Sequence, residues 1–244
     1  MSKAIIKASG LKKQFGTIYA ARNITVNIEE KTITGLIGTN GAGKTTFVNM
    51  LTGYLQPDEG TIEYQGQNII GKSPREVTRL GVARSFQIPQ LFVTHSALQN
   101  VEIALGVVKK PITDAMAVLK SFGLEEYAHL AAGTLPEGIR KLLDIALAMV
   151  AEPKVLLLDE PTSGVASDEK FAIMEKVMEA IRSAGVTALF VEHDMEIIER
   201  YSDRVLAFYD GAILAEGLAG EVLQHEKVLE YIIGEPVVIR DEVI

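Results

Sequence analysis

Residues 38–46 read GTNGAGKTT, which places glycines, a lysine and two hydroxyls in the spacing GxxxxGK[ST]. Gly38, Gly41 and Gly43 allow successive backbone N–H groups to turn inward around phosphate oxygens, with Asn40 and Ala42 completing the loop. Lys44 neutralises the β- and γ-phosphates, and the N-terminus of the following helix adds its dipole. Thr45 offers a hydroxyl to Mg²⁺, and Thr46 is placed for the α-phosphate. The four required residues recur by accident about once in a hundred chains of this length, and a strand before and a helix after make accident rarer still. The stretch predicts binding of a nucleoside triphosphate with Mg²⁺.

A second stretch, VLLLDEP (155–161), is an apolar strand that ends in two acids. Asp159 can stand beside Mg²⁺, usually through water. Glu160 can polarise an attacking water as a general base. Taken alone, such a pair would equally suit a helix cap or a solvated turn. Behind a phosphate loop the catalytic reading prevails. The chain lacks the N-K-x-D segment by which GTPases read guanine, and it has no arginine-rich lid of the kind P-loop kinases carry.

The 244 residues have a formal charge of −8 and an isoelectric point near 5.1, which argues against a protein that coats nucleic acid. There is no cysteine, so disulfide and thiolate chemistry are excluded. The four histidines, His95, His129, His193 and His225, are scattered without metal-ligand spacing. No signal peptide is evident, and no apolar run approaches the roughly 20 residues of a membrane span. The expectation is a cytoplasmic chain that meets a membrane only through other subunits.

The elements that must hold these groups follow from pattern. AIIKASGL and NITVNIEE read as strands around a turn at QFG, KTITGLIG as a strand entering the phosphate loop, and TIEYQGQNI as a hairpin. From Pro89 the pattern becomes helical, through SALQNVEIALGVV, ITDAMAVLKSFG and IRKLLDIALAMV. In the last of these, Ile139, Leu142, Leu143, Ala146, Met149 and Val150 form one stripe. Strands and helices then alternate to a hairpin with a DG turn, as parallel βαβ units do. The expected organisation is a discontinuous α/β core (1–88 and 153–234), an inserted helical subdomain (89–152) and a tail (235–244).

GTNGAGKTT, RSFQ, LLLDEPTSG and VEHD, in this order and spacing, resemble the ATP-binding subunits of ABC transporters over nearly the whole chain. ARSFQIPQLF, LDEPTSGV and FVEHDMEII are similar to the subunits of branched-chain amino acid importers. The resemblance implies a RecA-like P-loop NTPase core with an N-terminal antiparallel β part and an inserted helical subdomain. It implies an ATPase with ATP and Mg²⁺. Phe15, in KQFG, matches the aromatic that stacks on adenine, a contact that reads little more than a π-face. Gln87 matches the glutamine that meets Mg²⁺ or the attacking water, and His193 the residue that hydrogen-bonds the γ-phosphate.

Members of this family carry LSGGQ at the start of the third helix, which serves ATP on a neighbouring subunit packed head to tail. Here the positions are Leu135, Pro136, Glu137, Gly138 and Ile139. Pro136 deletes a hydroxyl and an N–H. Glu137 brings bulk and charge where glycine lets backbone approach phosphate. Facing it at about 5 Å, the carboxylate would be repelled by roughly 3 kcal/mol at an effective dielectric near 20. Alternatively, proline and glutamate are simply good helix starters. A family aspartate that reaches across the dimer is Ala166 here. Both departures fall on residues acting in trans, so the reading is a chain paired with a different ATPase subunit that has a fuller loop.

The resemblance further implies transmembrane permease subunits as partners, docked near 87–92 with Ile88, Pro89, Leu91 and Phe92 as apolar contacts. It places the chain peripherally on the inner face of the cell membrane, with no nucleic acid partner. The alternative class is a regulatory or clamp-type ATPase not coupled to transport. Such relatives carry a coiled-coil insert, a duplicated cassette or a basic surface, none of which is seen here.

Overall fold

The computed structural model describes residues 3–234, so the tail expected over 235–244 lies outside the described residues. Strands β1 (Ala4–Phe15) and β2 (Ile18–Glu29) form an antiparallel pair. β1 also pairs with β4 (Glu59–Tyr64), which continues into β5 (Gln67–Asn68), giving a sheet ordered β2-β1-β4-β5. The alternating burial of β1 is that of a sheet with one face on the core and one toward water.

The second sheet is ordered β10-β9-β3-β8-β7-β6. Its strands are β3 (Ile33–Gly38), β6 (Val82–Arg84), β7 (Val155–Asp159), β8 (Thr187–Val191), β9 (Arg204–Tyr209) and β10 (Ala212–Gly217). All neighbours are parallel except β9 and β10, which form the hairpin with its turn at Asp210 and Gly211. β3 and β8 are buried at every position, as parallel strands covered on both faces must be. Alternate residues divide between two cores. Leu36, Leu157, Leu189, Leu206 and Phe208 face helix α1 (Lys44–Leu51) and the antiparallel sheet. Ile37, Leu156, Leu158, Phe190 and Ala207 face the remaining helices.

Between β6 and β7 the chain forms α3 (Ala97–Val107), α4 (Ala115–Ser121) and α5 (Glu137–Val150). α5 lays the expected stripe against this second core, with Leu142, Leu143, Ala146 and Val150 buried and Ile139 and Met149 half-buried. Helices α6 (Lys170–Ser183) and α7 (Met195–Tyr201) connect the following strands. Three short α-helices were not read from pattern, α2 (Pro74–Leu80), α8 (Ala219–Leu223) and α9 (Glu226–Val228), and neither was β6. Because β3, β8 and β7 run parallel, the loops that follow them open at one edge of the sheet. In an open α/β sheet, that is the edge where ligands bind.

Candidate functional site

The phosphate loop follows β3 directly. Gly38 is its last residue, Asn40 and Gly41 are exposed in the turn, and Ala42 is buried and donates its N–H to the Thr39 carbonyl at 3.1 Å. Gly43 precedes α1 with φ 104°, and a Cβ there would collide with the Ala20 carbonyl. Only glycine combines that dihedral with so close a backbone. Gly43→Ala is expected to lower the urea midpoint by an amount equivalent to about 1–3 kcal/mol, as overpacking against fixed backbone does. An unchanged midpoint would show that the loop can relax.

Lys44 opens α1 and is buried, its Nζ donating to the carbonyls of Gly38 at 2.6 Å and Thr39 at 3.1 Å. Burial pulls its pKa down, while Glu160 and Asp159 oppose that shift, which places both carboxylates within electrostatic reach of the ammonium. Thr45 is exposed and Thr46 half-buried on the first turn. Phe15 ends β1 with 51 % of its surface exposed and the Lys13 ammonium 5.6 Å from its ring centre. It is therefore an available ring, not a core one.

Glu160 is the meeting point of the remaining groups. Its Oε2 accepts from Gln87 Nε2 at 2.7 Å, and its Oε1 lies 3.2 Å from His193 Nε2. Its backbone is left-handed, with φ 49°, a conformation that costs an L-residue roughly 1–2 kcal/mol. Asp159 is held differently. Arg84, at the end of β6, donates from Nη2 to Asp159 Oδ2 at 2.6 Å and from Nη1 to Asn49 Oδ1 at 2.6 Å. Its guanidinium also packs over the rings of Tyr54 and Phe86.

Three buried residues absent from the sequence reading brace this arrangement. Asp144 on α5 accepts the N–H groups of Phe86 at 3.3 Å and Gln90 at 2.9 Å, so α5 holds the segment that carries Gln87; burial pushes its carboxyl up. Glu192 accepts from both the backbone N–H and the hydroxyl of Thr162 at 2.8 Å and from the His193 N–H at 3.3 Å. Burial raises its carboxyl as well. Lys141 donates to the Glu160 carbonyl at 2.7 Å. Each is a charged residue within an apolar helix or strand end, which is visible in the sequence, but its burial and its partners are fixed only by the fold.

The site's oxygen donors fit Mg²⁺. Gln87 spends its amide N–H on Glu160, Asp159 commits one oxygen to Arg84, and the Thr45 hydroxyl is exposed. Among the described residues no cluster of three or more His, Cys, Asp or Glu side chains could hold a metal. Mg²⁺ at nucleotides takes one or two carboxylates together with phosphates and water.

At the start of α5, Leu135 is buried, Pro136 is the cap residue, and Glu137 forms an ion pair with Arg140 one turn on. Gly138 is buried so tightly that a Cβ would strike Ile173 Cδ1, and Ile139 is half-buried. The Glu137 carboxylate is thus compensated by Arg140, which removes the uncompensated anion on which the repulsion above depends. Pro136 itself has neither a hydroxyl nor an N–H to offer, and no side chain accepts from the first N–H groups of the helix. Ala166 is exposed in the turn before α6.

A phosphate loop after one parallel strand, two acids after another and a histidine after the strand between them define a P-loop ATPase of the cassette type. The sequence profile of the family described as ABC transporter matches residues 21–163. The high-affinity branched-chain amino acid transport ATP-binding protein BraF of Pseudomonas aeruginosa is 34% identical over 96% of this chain and 100% of its own length. A probable branched-chain amino acid transport ATP-binding protein of Archaeoglobus fulgidus, LivG, is 32% identical over 94% and 95%. Among solved structures, the ADP conformation of MJ1267, an ATP-binding cassette of an ABC transporter, superposes with a TM-score of 0.87 at 30% identity, covering 96% of this chain and all of that one. The dimeric post-hydrolysis cassette MJ0796, bound to ADP and Pi, gives 0.76 at 26% identity over 88% and 98%. The chain belongs to the ABC transporter family, and it is one of that family's ATPase cassettes, with ATP as its nucleotide and Mg²⁺ as the ion. No helix among the described residues is long and apolar enough to cross a membrane.

Proposed function

We propose that this chain hydrolyses ATP to drive a branched-chain amino acid-type importer, with Glu160 as general base. The observation that carries this reading is the Glu160 carboxylate held between Gln87 and His193, with Lys44 within its electrostatic reach. Phe15 stacks on adenine, while the backbone of 38–43 and Lys44 bind the phosphates, with Thr46 at the α-phosphate. Thr45, Asp159 and Gln87 would hold Mg²⁺, which supplies charge neutralisation at the β- and γ-phosphates. Glu160 takes a proton from the attacking water, and His193 orients the γ-phosphate. Here the side chain of Gln87 touches the base directly, and its segment is anchored on α5 through Asp144. A shift of the helical part, residues 89–152 of the proposed division, would therefore be felt at the base. The discontinuous core comprises 1–88 and 153–234.

Residues 87–92 give the permease contact: Ile88 and Phe92 are 75 % and 55 % exposed, with Pro89 and Leu91 half-buried beside them. The chain sits on the inner face of the membrane through that contact alone. It works as one of two cassettes, and the loss of the donors at Pro136, together with Ala166, supports a partner that is a different ATPase subunit. The test is ATP turnover per chain across a range of protein concentrations, with and without Pro136→Ser combined with Glu137→Gly. The reading expects weak turnover from the chain alone and a rise of several-fold in the double variant, on the scale of one or two regained hydrogen bonds to phosphate. Turnover that climbs with concentration in the unaltered chain, with no gain from the variant, would overturn the different-partner reading and leave a homodimer.

A further inference from the structure

Two lysines are buried among the described residues. Lys44 lies under the phosphate loop. Lys141, 4 % exposed, belongs to no motif of the nucleotide site, and its ammonium donates at 2.7 Å to the backbone carbonyl of Glu160. Buried cations are expected to pair with carboxylates. Glu137, Glu192, Glu160 and Asp144 all lie near enough to favour its charge against the desolvation that pulls its pKa down. Its hydrogen bond nevertheless goes to a carbonyl, and to that of the residue whose side chain faces Gln87 and His193.

The reason lies in the backbone. Glu160 is left-handed at φ 49°, a state that a non-glycine residue keeps only where its surroundings over-determine it. Its N–H donates to the Val191 carbonyl at 3.1 Å, which ties it to the end of β8. Its carbonyl accepts from Lys141 Nζ and, at 3.1 Å, from the Ser163 N–H, which starts the turn leading toward Ala166. With both backbone groups fixed, the side chain leaves the main chain in one direction. Lys141 itself stands one turn beyond Glu137 and Gly138, where Gly138 is wedged against Ile173 and Glu137 lies over Gly164.

We propose that Lys141 is a positioning residue for ATP hydrolysis: its ammonium fixes the backbone that aims the Glu160 carboxylate and ties that backbone to the first turn of α5. The proposal rests on the reading of Glu160 as the base. It gives this chain a direct link between the helix start that would face a partner's nucleotide and the base that serves its own. A displacement of the first turn of α5 would pull on Glu160 without passing through Gln87.

The test compares the full chain with Lys141→Met, Lys141→Arg and Glu160→Gln, reading kcat and KM for ATP and the amide hydrogen exchange of residues 160–163 in nucleotide-free protein. Lys141→Met is expected to lower kcat at least about tenfold with KM changed no more than about twofold, as misaimed catalytic groups do. The Ser163 amide, whose acceptor is the released carbonyl, should exchange faster. Lys141→Arg keeps a cation of sufficient reach and should restore kcat to within about threefold of the unaltered chain. Unchanged kcat and exchange in Lys141→Met would overturn the proposal. So would a loss of ATP affinity in step with melting temperature, or a failure of arginine to rescue. If Glu160→Gln hydrolyses ATP like the unaltered chain, the base reading falls by itself. In that case, or if the chain alone turns over too slowly to compare, exchange at 160–163 decides, and normal exchange in Lys141→Met overturns the positioning role.

Discussion

Glu160→Gln is expected to lower ATP hydrolysis by about 10²- to 10⁴-fold, the usual contribution of a positioned general base, while ATP affinity stays within a few-fold. The two effects separate because of how the residue is held. Its backbone is fixed through Val191 and Lys141, contacts that glutamine keeps unchanged. The amide has the same shape as the carboxylate, so Gln87 and His193 retain a partner of the right size at 2.7 and 3.2 Å. In the proposed reading phosphate binding belongs to the loop after β3 and to Lys44, which lie on a different strand from Glu160. What the variant loses is the ability to take a proton from water. Single-turnover hydrolysis of radiolabelled ATP, alongside equilibrium binding of the same nucleotide, measures both quantities. Hydrolysis within tenfold of the unaltered chain would remove Glu160 as the base.

The legible part of the site was the part that is contiguous in the chain. GTNGAGKTT carries its own mechanism because the loop's turns and the helix start lie within nine residues. Asp159 and Glu160 could be placed at the end of a strand because an apolar run of five residues marks that strand and where it stops. The braces were illegible for the opposite reason. Asp144 reads as one polar residue on an apolar helix, and nothing local says that it will accept from Phe86 and Gln90. Lys141 beside it reads as a solvated position, yet it is buried. Their contacts come from α5 crossing the loops after β6 and β7, long-range contacts that no window of sequence displays.

The same holds for the fold. β3, β7 and β8 were visible because parallel strands covered on both faces are continuously apolar. β6, three residues long, has no period to show, and its place at the sheet edge comes from pairing with β7. α2 did leave a signal. Ser73 and Glu76 form a capping box around Pro74, the pattern that opens a helix, but seven residues with one buried side chain gave too little stripe to confirm it. Glu137 shows the limit from the other side. Its charge was read correctly, and its pairing with Arg140, three residues on, is the ordinary neighbour contact of a helix.

Arg84→Met should lower stability by about 3–5 kcal/mol, the cost of breaking a buried ion pair from one side. The Arg84 and Asp159 side chains are 9 % and 13 % exposed. The guanidinium joins three elements at once, with Asp159 at the end of β7, Asn49 on α1 and the rings of Tyr54 and Phe86 around it. Methionine fills much of the same space, so the cavity contribution is small. The loss comes from leaving the Asp159 carboxylate without the cation that hydrogen-bonds to it. At roughly 2–4 °C per kcal/mol for a chain of this size, the melting temperature should fall by about 6–20 °C. Adding Asp159→Asn removes the orphaned charge as well, and the double variant should melt above Arg84→Met alone, a coupling that a double-mutant cycle reads directly. A fall of less than about 2 °C in Arg84→Met would mean that water reaches Asp159 freely and that the pair is worth no more than a surface ion pair. A double variant that melts no higher than the single one would mean instead that Arg84 acts through its packing on Tyr54 and Phe86 and through Asn49, and that its bond to Asp159 contributes little to holding the end of β7.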